Sequence, residues 1–568
     1  MRRGLLEDLR LSVIPFIMNT MNFLEFAELC SRLEKISGRL DTIALLAETI
    51  EELSKEDLPS FCRLILGRPF PEWSGQKLGI GPNLLYEAVA YVTGRKRDEV
   101  IERLSHVGDA GAAVEELLSQ KSQTSFFTVE LTLTDIMAAL IEISAMEGGR
   151  SQKEKVRVIQ RLLSSATPLE GHYITAILLE DFRIGVGEGN LRDAIAQAFS
   201  VNPDLVEYAN QVRNDMGEVS ILAKSGEDAL QSVRLVPFHP VRMMLARQGT
   251  ISGVLERGEP VAVEYKYDGA RFQFHKQNGS CRMYSRRLEE VTKAMPDVIA
   301  LLDAALEDDV IVDGEVIAVR DDRPLPFQTV LRRFRRKHNV AKAADAITMI
   351  PNLFDILYHN SEMLIDLPFS SRRERLCQVA GRYVTPQLVS GDEAEIEAYY
   401  HEALDAGHEG VMLKMQGSRY TPGVRGKDWV KIKPEADTLD LVVTGAEWGE
   451  GKRAHVFGSF LTSVRSGDHL VPISRVATGF SDEQLAWLHA SLEDDILRKE
   501  GKMVYFEPKF VFEVGYSEIQ KSPHYEGGYA LRFPRFIAVR EDKDISEANT
   551  AEDVTERYIL THRHQNEE

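Results

Sequence analysis

The sequence has few cysteines and no arrangement of them that would suit a metal site or a disulfide framework. Its 568 residues include Cys30, Cys62, Cys281 and Cys377, which lie far apart with no Cys-x-x-Cys pair. This spacing argues against a cysteine zinc site and against the disulfide framework of a secreted protein. It is typical of a reducing compartment, so a cytoplasmic location is predicted.

The sequence also lacks a long apolar run. No stretch is long and apolar enough to span a bilayer, so no membrane partner is expected. The N-terminus resembles a signal peptide only superficially, because Glu7 and Asp8 interrupt its basic region and Pro15 interrupts its apolar run. Residues 1–20 are therefore predicted to be a poorly ordered extension.

Basic residues are fewer than acidic residues. The net charge of −20 taken alone argues against a polyanionic partner. A global sum does not describe a local patch, however, and "VLRRFRRKHNVAK" (330–342) concentrates basic residues that include Arg332, Arg333 and Arg335. By itself this run is equally compatible with a solvated charged face.

Three residue patterns follow one another after the extension and predict three domains. Residues 21–235 read as amphipathic helices, 236–435 as strands alternating with helices, and 436–568 as short strands with glycine turns. In the last segment one helix is predicted to begin at Ser481, with Gln484 completing a capping box. The predicted fold class is therefore multidomain, with an all-α N-terminal domain, an α+β domain and a C-terminal β-barrel of the OB-fold type.

Two segments of the helical part are similar to each other. "QKLGIGPNLLYEAVAYVTG" (76–94) and "DFRIGVGEGNLRDAIAQAF" (181–199) each place a basic residue, Lys77 or Arg183, before Gly-x-Gly and a helix. The similarity indicates an internal duplication. Glycines at a helix start let a phosphate approach exposed backbone N–H groups at the positive end of the helix dipole. Phosphate contacts at both segments are predicted, with plain turn chemistry as the alternative.

The segment "VAVEYKYDGARFQF" (261–274) is predicted to be a β-strand with Lys266 in its middle. Alternation puts Glu264, Lys266 and Asp268 on one face, which could simply meet solvent. The alternative is chemical. A lysine amine that attacks phosphorus must be neutral, and its reference pKa of about 10.4 makes deprotonation at pH 7 cost about 4.6 kcal/mol. Burial and nearby cations reduce that cost.

An ordered series of short motifs favours the chemical interpretation. In chain order they are "EYKYDGAR" (264–271), "SRR" (285–287), "DGE" (313–315), "FDILY" (354–358), "EGVMLK" (409–414), "WVKIKP" (429–434) and "RFPRF" (532–536). The series resembles the nucleotidyltransferase motifs of ATP-dependent DNA ligases and mRNA capping enzymes. With "LLEDFRIGVGEG", "PKFVFEVGYSEIQKSP" and "ALRFPRFIAVREDK", the resemblance extends over all but the first twenty residues to the archaeal and eukaryotic replicative DNA ligases, and most of all to the archaeal form.

The resemblance implies an ATP-dependent DNA ligase that seals nicks in replication, repair and recombination through AMP bound to Lys266. The three domains become a DNA-binding domain (21–235), an adenylation, or nucleotidyltransferase, domain (236–435) and an OB-fold domain (436–568). ATP and Mg²⁺ are the implied cofactors, and nicked double-stranded DNA is the implied partner of a chain expected to act as a monomer. The residues then predicted to contact the DNA backbone are Lys77, Arg183, Arg332, Arg333 and Arg335.

The resemblance also implies roles for the other motif residues. Glu264 lies near the adenine and Phe354 stacks on it. Arg271 and Arg286 contact ribose, the phosphates of ATP or the 5′-phosphate of the nick. Glu315 and Glu409 bind ribose or magnesium, because hard cations prefer carboxylate oxygens. The remaining predicted phosphate contacts are Arg425, Lys431 and Lys433 in the nucleotide pocket, and Arg532 and Arg535, which close over the pyrophosphate in the first step. The cations expected to favour the neutral amine of Lys266 are Arg271, Lys431, Lys433 and bound magnesium. Gly269 is expected to let the backbone approach the nucleotide closely.

A short aromatic stretch lies in the helical part. "SQKSQTSFFTVEL" (119–131) contains Gln123, Phe126 and Phe127. Adjacent aromatics after a glutamine resemble the motif by which archaeal replication ligases bind the sliding clamp, so clamp binding is predicted. The alternative is that the two phenylalanines belong to the core of a helical domain.

Several other functions compete with this interpretation. An RNA ligase or a capping guanylyltransferase shares the lysine chemistry, but the large helical domain and "RFPRF" argue against both. An NAD-dependent ligase carries a four-cysteine zinc site that this cysteine spacing cannot make. A non-catalytic DNA-binding or clamp-binding scaffold is disfavoured by the intact "KYDGAR" and the two lysines of "WVKIKP".

Overall fold

The computed structural model describes residues 20–120, 130–146, 148, 151–320, 323–325, 329–330, 333, 348–434, 437–449, 455–467 and 469–562. The chain divides between Lys433 and Pro434 into two units. In the described part of the chain, no helix combines the length and the apolar character needed to cross a bilayer.

The first half of the first unit is helical, which confirms the predicted all-α N-terminal part. Capping boxes mark several helix starts, for example at Asn22 with Glu25 and at Thr132 with Asp135. The helices are α1 Phe23–Glu34, α2 Arg39–Glu52, α3 Leu58–Leu64, α4 Pro82–Thr93, α5 Arg97–Val107, α6 Ala110–Ser119, α7 Leu133–Ala145, α8 Ser151–Ser165, α9 Pro168–Leu178, α10 Glu188–Phe199, α11 Pro203–Arg213, α12 Met216–Lys224 and α13 Glu227–Gln231.

The packing of these helices is reciprocal, as an internal duplication requires. Helix α4 packs against α8, while α10 packs against α2, and the N-caps of α1 and α7 meet in an antiparallel bridge. The two Gly-x-Gly segments have matching backbones. Gly79 and Gly185 have φ of 59° and 77°, and Gly81 and Gly187 are extended N-caps of α4 and α10.

The second half of the first unit contains two sheets with helices on them, which confirms the predicted α+β part. The five-stranded sheet has the order β1-β11-β10-β2-β9, and the six-stranded sheet has the order β4-β3-β5-β7-β8 with β6 on β5. The strands are β1 Leu245–Gln248, β2 Val261–Tyr265, β3 Ala270–Gln277, β4 Ser280–Ser285, β5 Val310–Arg320, β6 Arg323–Pro324, β7 Thr348–His359, β8 Glu362–Met363, β9 Gln387–Ser390, β10 Val411–Met415 and β11 Arg425–Ile432. The helices are α14 Ile251–Leu255, α15 Pro296–Ala305, α16 Phe369–Ala380 and α17 Glu393–Asp405.

The predicted single strand over 261–274 is wrong. The chain leaves the five-stranded sheet at Tyr265 and enters the six-stranded sheet at Ala270, so Lys266 lies in the connection between the two sheets. The close approach of Gly269 to β5 marks this crossing. A Cβ at Gly269 would lie 2.4 Å from the carbonyl oxygen of Val316. The glycine is therefore needed for contact with the protein's own backbone, and not only for the predicted approach of a nucleotide.

The second unit is built around one long strand, β12. On one side β12 pairs with β13, and on the other it pairs first with β17 and then with β16. The seven-stranded sheet continues to β14, β15 and β20, and β18 and β19 form a separate pair, consistent with the predicted OB-fold. The elements are β12 Asp437–Trp448, β13 Phe457–Ser466, β14 His469–Val476, β15 Ile496–Glu500, β16 Met503–Phe506, β17 Val511–Tyr516, β18 Glu518–Lys521, β19 Tyr529–Arg532, β20 Arg535–Val539, α18 Asp482–Leu492 and α19 Ala551–His562. The capping box of Ser481 and Gln484 at the start of α18 is confirmed.

Candidate active site

A pocket between the two sheets of the first unit contains most of the residues predicted to bind a nucleotide. Its cavity has a volume of about 190 Å³. Of the ten residues predicted to react with or bind the nucleotide or magnesium, eight line it: Glu264, Lys266, Arg271, Arg286, Glu315, Phe354, Arg425 and Lys431. Of the other two, Glu409 contacts Lys266, and Lys433 follows the end of β11.

Alternation along three neighbouring strands explains why these side chains converge. Met412 is the register partner of both Glu264 and Lys431, and Lys414 is the partner of Trp429. Directly opposed residues point to the same face of a sheet, so all five face the pocket. The residues between them pack on the other face against α14 and α17.

Lys266 is held by the segment that precedes β10. Its backbone N–H donates to the carbonyl of Gly410 at 2.8 Å, and its own carbonyl accepts from the N–H of Glu409 at 2.9 Å. Its Nζ donates to Oε2 of Glu409, and the side chain is 21% exposed. The amine is thus accessible from the pocket and lies next to a carboxylate that can receive a proton.

Gly410 makes this arrangement sterically possible. Its φ of +133° is a conformation that side chains disfavour, and a Cβ there would lie 2.2 Å from the carbonyl oxygen of Ile432. The two glycines near the nucleophile therefore allow close backbone approaches, Gly269 to β5 and Gly410 to β11.

Glu264 is almost fully buried and surrounded by donors. Its Oε2 lies 2.6 Å from Nζ of Lys414, and its Oε1 accepts from Nε2 of Gln387 at 2.9 Å and from Arg373 at 3.3 Å. The side chain is 2% exposed. Three donors on two oxygens fix the orientation of the carboxylate.

Lys414 is a functional candidate that ends the motif "EGVMLK" but had no predicted role. It is 1% exposed, and its ammonium lies 4.3 Å from the ring centroid of Trp429 and 4.7 Å from those of Phe354 and Phe369. Burial lowers its pKa, while the charge of Glu264 opposes that shift. The signal available in the sequence was its alternation with Met412 on β10.

Arg271 is fixed by a second buried network. Its guanidinium donates to both oxygens of Asp313, at 3.2 and 2.6 Å, and to the carbonyl of Met244 at 2.6 Å. Tyr420 closes the network, because its hydroxyl donates to Asp313 at 2.7 Å and accepts from the N–H of Met244 at 3.0 Å. Asp313 and Tyr420 were not predicted as site residues, although Asp313 belongs to the "DGE" motif.

The pKa values of two carboxyl groups near Lys266 are shifted in opposite directions. Burial raises the pKa of Glu315 to about 7, and the charges of Lys266 and Arg271 limit the shift. Burial by itself would also raise the pKa of Glu409, but the charge and hydrogen bond of Lys266 outweigh it, so that pKa is lowered. Burial, followed by the charges of Lys433 and Lys266, lowers the pKa of Lys431.

The donor set is compatible with magnesium bound together with phosphates. Among the described residues, no cluster of three or more His, Cys, Asp or Glu is arranged to hold a metal. Mg²⁺ is commonly bound by one or two carboxylates plus substrate phosphates and water. Glu315 and Glu409 interact electrostatically and supply such a pair.

The predicted residues of the second unit lie on two strands that are consecutive in the chain and belong to different sheets. Arg532 ends β19, and its Nη1 donates to Glu518 at 3.3 Å. Arg535 begins β20 and is exposed.

The residues predicted to contact DNA have different surroundings. Lys77 is exposed and paired with Glu289, and Arg183 is exposed and lies 2.6 Å from Asp181. Arg333 differs from the prediction, because it is buried and donates to Asp297 at 2.8 Å, so its guanidinium does not face solvent. The residues of these predictions that lie outside the described part of the chain are Arg332, Arg335, Gln123, Phe126 and Phe127.

Comparison with known protein families agrees with this geometry. Residues 22–196 match the DNA ligase N terminus, residues 243–433 match the ATP dependent DNA ligase domain, and residues 453–543 match the ATP dependent DNA ligase C terminal region. These matches and the relatives below confirm the predicted resemblance.

Individual relatives cover nearly the whole chain. The DNA ligase of Methanospirillum hungatei is 86% identical over 542 residues, 95% of this chain and 99% of that protein. The DNA ligase of Methanoculleus marisnigri is 56% identical over 538 residues, 95% of this chain and 98% of that protein. The solved structure named Pmar-Lig_PreS3 shares the fold, at a TM-score of 0.55 and 17% identity, over 90% of this chain and 99% of its own. On these grounds, the chain belongs to the family of ATP-dependent DNA ligases.

Proposed function

We propose that Lys266 is the nucleophile that takes AMP from ATP in the first step of ligation. The observation that carries the proposal is the convergence on one pocket of an accessible lysine, two carboxylates and several cations. A bond forms between Nζ and the α-phosphorus as the bond between the α- and β-phosphates breaks, and pyrophosphate leaves. Glu409, which contacts Nζ, is placed to accept the one proton that the neutral amine loses when the nitrogen–phosphorus bond forms.

The remaining pocket residues bind and orient the nucleotide. Glu264 accepts a hydrogen bond from the adenine amino group, and Phe354 stacks on the base. Lys431 and Lys433 follow one another at alternate positions at the end of β11, which suits two contacts to one phosphate chain. Arg271, Arg286 and Arg425 contact the ribose or phosphates. Catalysis of this type consists mainly of positioning and charge stabilisation.

Glu315 and Glu409 are the residues that would hold magnesium. The ion supplies Lewis-acid charge stabilisation on the phosphates. The raised pKa of Glu315, caused by burial, is compatible with a carboxyl group that ionises fully when a cation binds.

The later steps join the DNA. AMP passes from Lys266 to the 5′-phosphate of a nick, and the 3′-hydroxyl then attacks that phosphorus and releases AMP. We assign backbone contacts with the duplex to Lys77 and Arg183, which are exposed beside matching glycine turns. Arg532 and Arg535 are assigned to the pyrophosphate in the first step.

The proposals for the sliding clamp, the oligomeric state and the location are based on the sequence. Gln123, Phe126 and Phe127 are proposed to bind the sliding clamp, and replacement of both phenylalanines by alanine should abolish clamp-stimulated ligation while clamp-free sealing remains. The enzyme is proposed to act as a cytoplasmic monomer. Its four cysteines are free thiols.

Intact mass spectrometry tests the central proposal. The protein incubated with ATP and magnesium should gain one AMP, Lys266→Ala should gain none, and GTP should not replace ATP. A labelled nicked duplex should be sealed by the wild type only. Sealing by an unmodified protein, or by Lys266→Ala, would overturn the assignment.

A further inference from the structure

The segment around Lys266 must be held in a defined position if Lys266 is to act as a nucleophile. Lys266 lies one residue beyond the end of β2, where two backbone hydrogen bonds with Gly410 and Glu409 hold its main chain. A nucleophile must be held close to its attack geometry, and a misplacement of about 1 Å can cost about a hundredfold in rate. These hydrogen bonds restrain the main chain, so the remaining question is what restrains the side chains of Tyr265 and Tyr267 on either side of the nucleophile.

One imidazole contacts both neighbours of the nucleophile. The ring centroid of His408 lies 5.0 Å from that of Tyr265, with the planes tilted by 30°. It lies 4.9 Å from that of Tyr267, in an edge-on arrangement at 77°. His408 also directly precedes Glu409, the carboxylate that contacts Nζ of Lys266. The ring thus lies where the two segments that define the nucleophile meet.

Both tyrosines are also restrained from their far sides. Tyr265 stacks on Tyr399 with ring centroids 4.9 Å apart, and its hydroxyl donates to Glu402. The hydroxyl of Tyr267 bonds with that of Thr385 at 2.7 Å. Because these outer contacts lie on α17 and beside β9, His408 completes a packed group that spans the nucleophile.

The contribution of His408 is packing rather than hydrogen bonding. Its Nδ1 is buried and has no hydrogen-bond partner within the part of the chain that the structure describes. A buried polar atom without a partner costs free energy, so Nδ1 does not stabilise this position of the imidazole. An aromatic ring of similar size should therefore serve the same purpose.

We propose that His408 is a positioning residue for Lys266. By packing between Tyr265 and Tyr267 it sets the placement of Nζ relative to the α-phosphorus. His408 is not among the residues that line the nucleotide pocket, and it takes no part in forming the nitrogen–phosphorus bond or in breaking the bond to pyrophosphate. The inference rests on the proposed role of Lys266.

The test separates the step that uses Lys266 as a nucleophile from the step that does not. Two single-turnover rates are measured for each variant, with magnesium present. One is AMP transfer to the enzyme from ATP, and the other is joining of a nick whose 5′-phosphate already carries AMP, without ATP. The ratio of the two rates is independent of the fraction of protein that is folded.

Three variants give distinct expectations. In His408→Ala the ratio of the first rate to the second should fall about tenfold to a hundredfold, because only the first rate depends on attack by Nζ. In His408→Phe the ratio should return to within about threefold of the wild type, because an aromatic ring restores the packing. His401→Ala is the matched control, since His401 is exposed on α17 beside the same cluster, and its ratio should not change.

The outcomes that overturn the inference are specific. If His408→Ala slows both rates equally, the residue supports folding and not the nucleophile. If His408→Phe is as slow as His408→Ala in the first step, a polar role replaces the packing role. A wild type that takes up no AMP would instead overturn the proposed function, and this inference with it.

Discussion

The carboxylate of Glu264 and the ammonium of Lys414 lie 2.6 Å apart, and both side chains are almost completely buried. Two charges in such a place are stable only together, because each repays part of the desolvation cost of the other. The aromatic rings of Trp429, Phe354 and Phe369 surround the ammonium and exclude water from the pair. The pair therefore fixes the floor of the pocket in which the base is proposed to lie.

Replacing Lys414 by methionine should destabilise the first unit by about 3 kcal/mol, because it leaves a buried carboxylate with only Gln387 and Arg373 as donors. The double variant Glu264→Gln with Lys414→Met should regain part of that stability. Neither variant should take up AMP at the wild-type rate. Urea unfolding and intact mass measure the two effects.

Lys427→Met is the matched control for this prediction. Lys427 lies on the adjacent strand β11 and is exposed, so its replacement should change neither the unfolding midpoint nor AMP uptake. Equal stability of Lys414→Met and the wild type would show that the buried pair contributes little.

The sequence was sufficient for features that depend on local order and alternation. Motif order predicted the pocket, and alternation along "WVKIKP" placed Lys431 correctly in it. The sequence was insufficient where contacts between distant segments determine whether a side chain is buried. Lys414 is buried because Phe369 and Phe354 come from other elements, and Arg333 is buried because Asp297 lies on α15. Gly269 suited a continuous strand and a crossing equally well, and only the approach of β5 distinguishes them.

Gly410→Ala should slow AMP uptake by about a hundredfold. The residue has a φ of +133° and has no room for a Cβ beside the carbonyl of Ile432, so the segment that bonds to Lys266 must move. Gly417→Ala is the control, because Gly417 is exposed and a Cβ there meets nothing within 4 Å. Single-turnover AMP uptake measures both, and equal rates in the two variants would contradict the proposed placement of the nucleophile.

His275 should make the first unit less stable in mild acid. Burial, with smaller contributions from the charges of His239 and Arg282, lowers its pKa to about 3. An unfolded histidine has a pKa of about 6.5, so between pH 6.5 and 3 only the unfolded chain binds this proton, and stability falls as pH falls. From this group alone the loss between pH 7 and pH 5 is about 2 kcal/mol.

The variant His275→Gln isolates that contribution. The neutral ring accepts from the N–H of Phe238 at 2.9 Å and bonds with Gln273 at 2.9 Å, so the variant should be less stable at pH 7. Its stability should nevertheless change less between pH 7 and pH 5 than that of the wild type. The exposed His401→Gln should keep the wild-type slope. Urea unfolding at a series of pH values gives both slopes, and parallel slopes for His275→Gln and the wild type would contradict the prediction.

Replacing Lys77 and replacing Glu289 should have opposite effects on DNA binding. Lys77 lies in a groove of about 1280 Å³ and pairs there with Glu289, so a DNA phosphate must compete with that carboxylate. Lys77→Gln should weaken binding to a nicked duplex and make the slope of log Kd against log salt shallower by about one, because one fewer counterion is released. Glu289→Gln should tighten binding by at most about fivefold, since an exposed ion pair is worth about 0.2–1 kcal/mol.

Lys96→Gln is the control, because Lys96 is an exposed lysine outside the groove, and it should alter neither the affinity nor the salt slope. If Lys77→Gln and Lys96→Gln had the same salt slope, Lys77 would not contact a phosphate, and the glycine turn beside it would be plain turn chemistry.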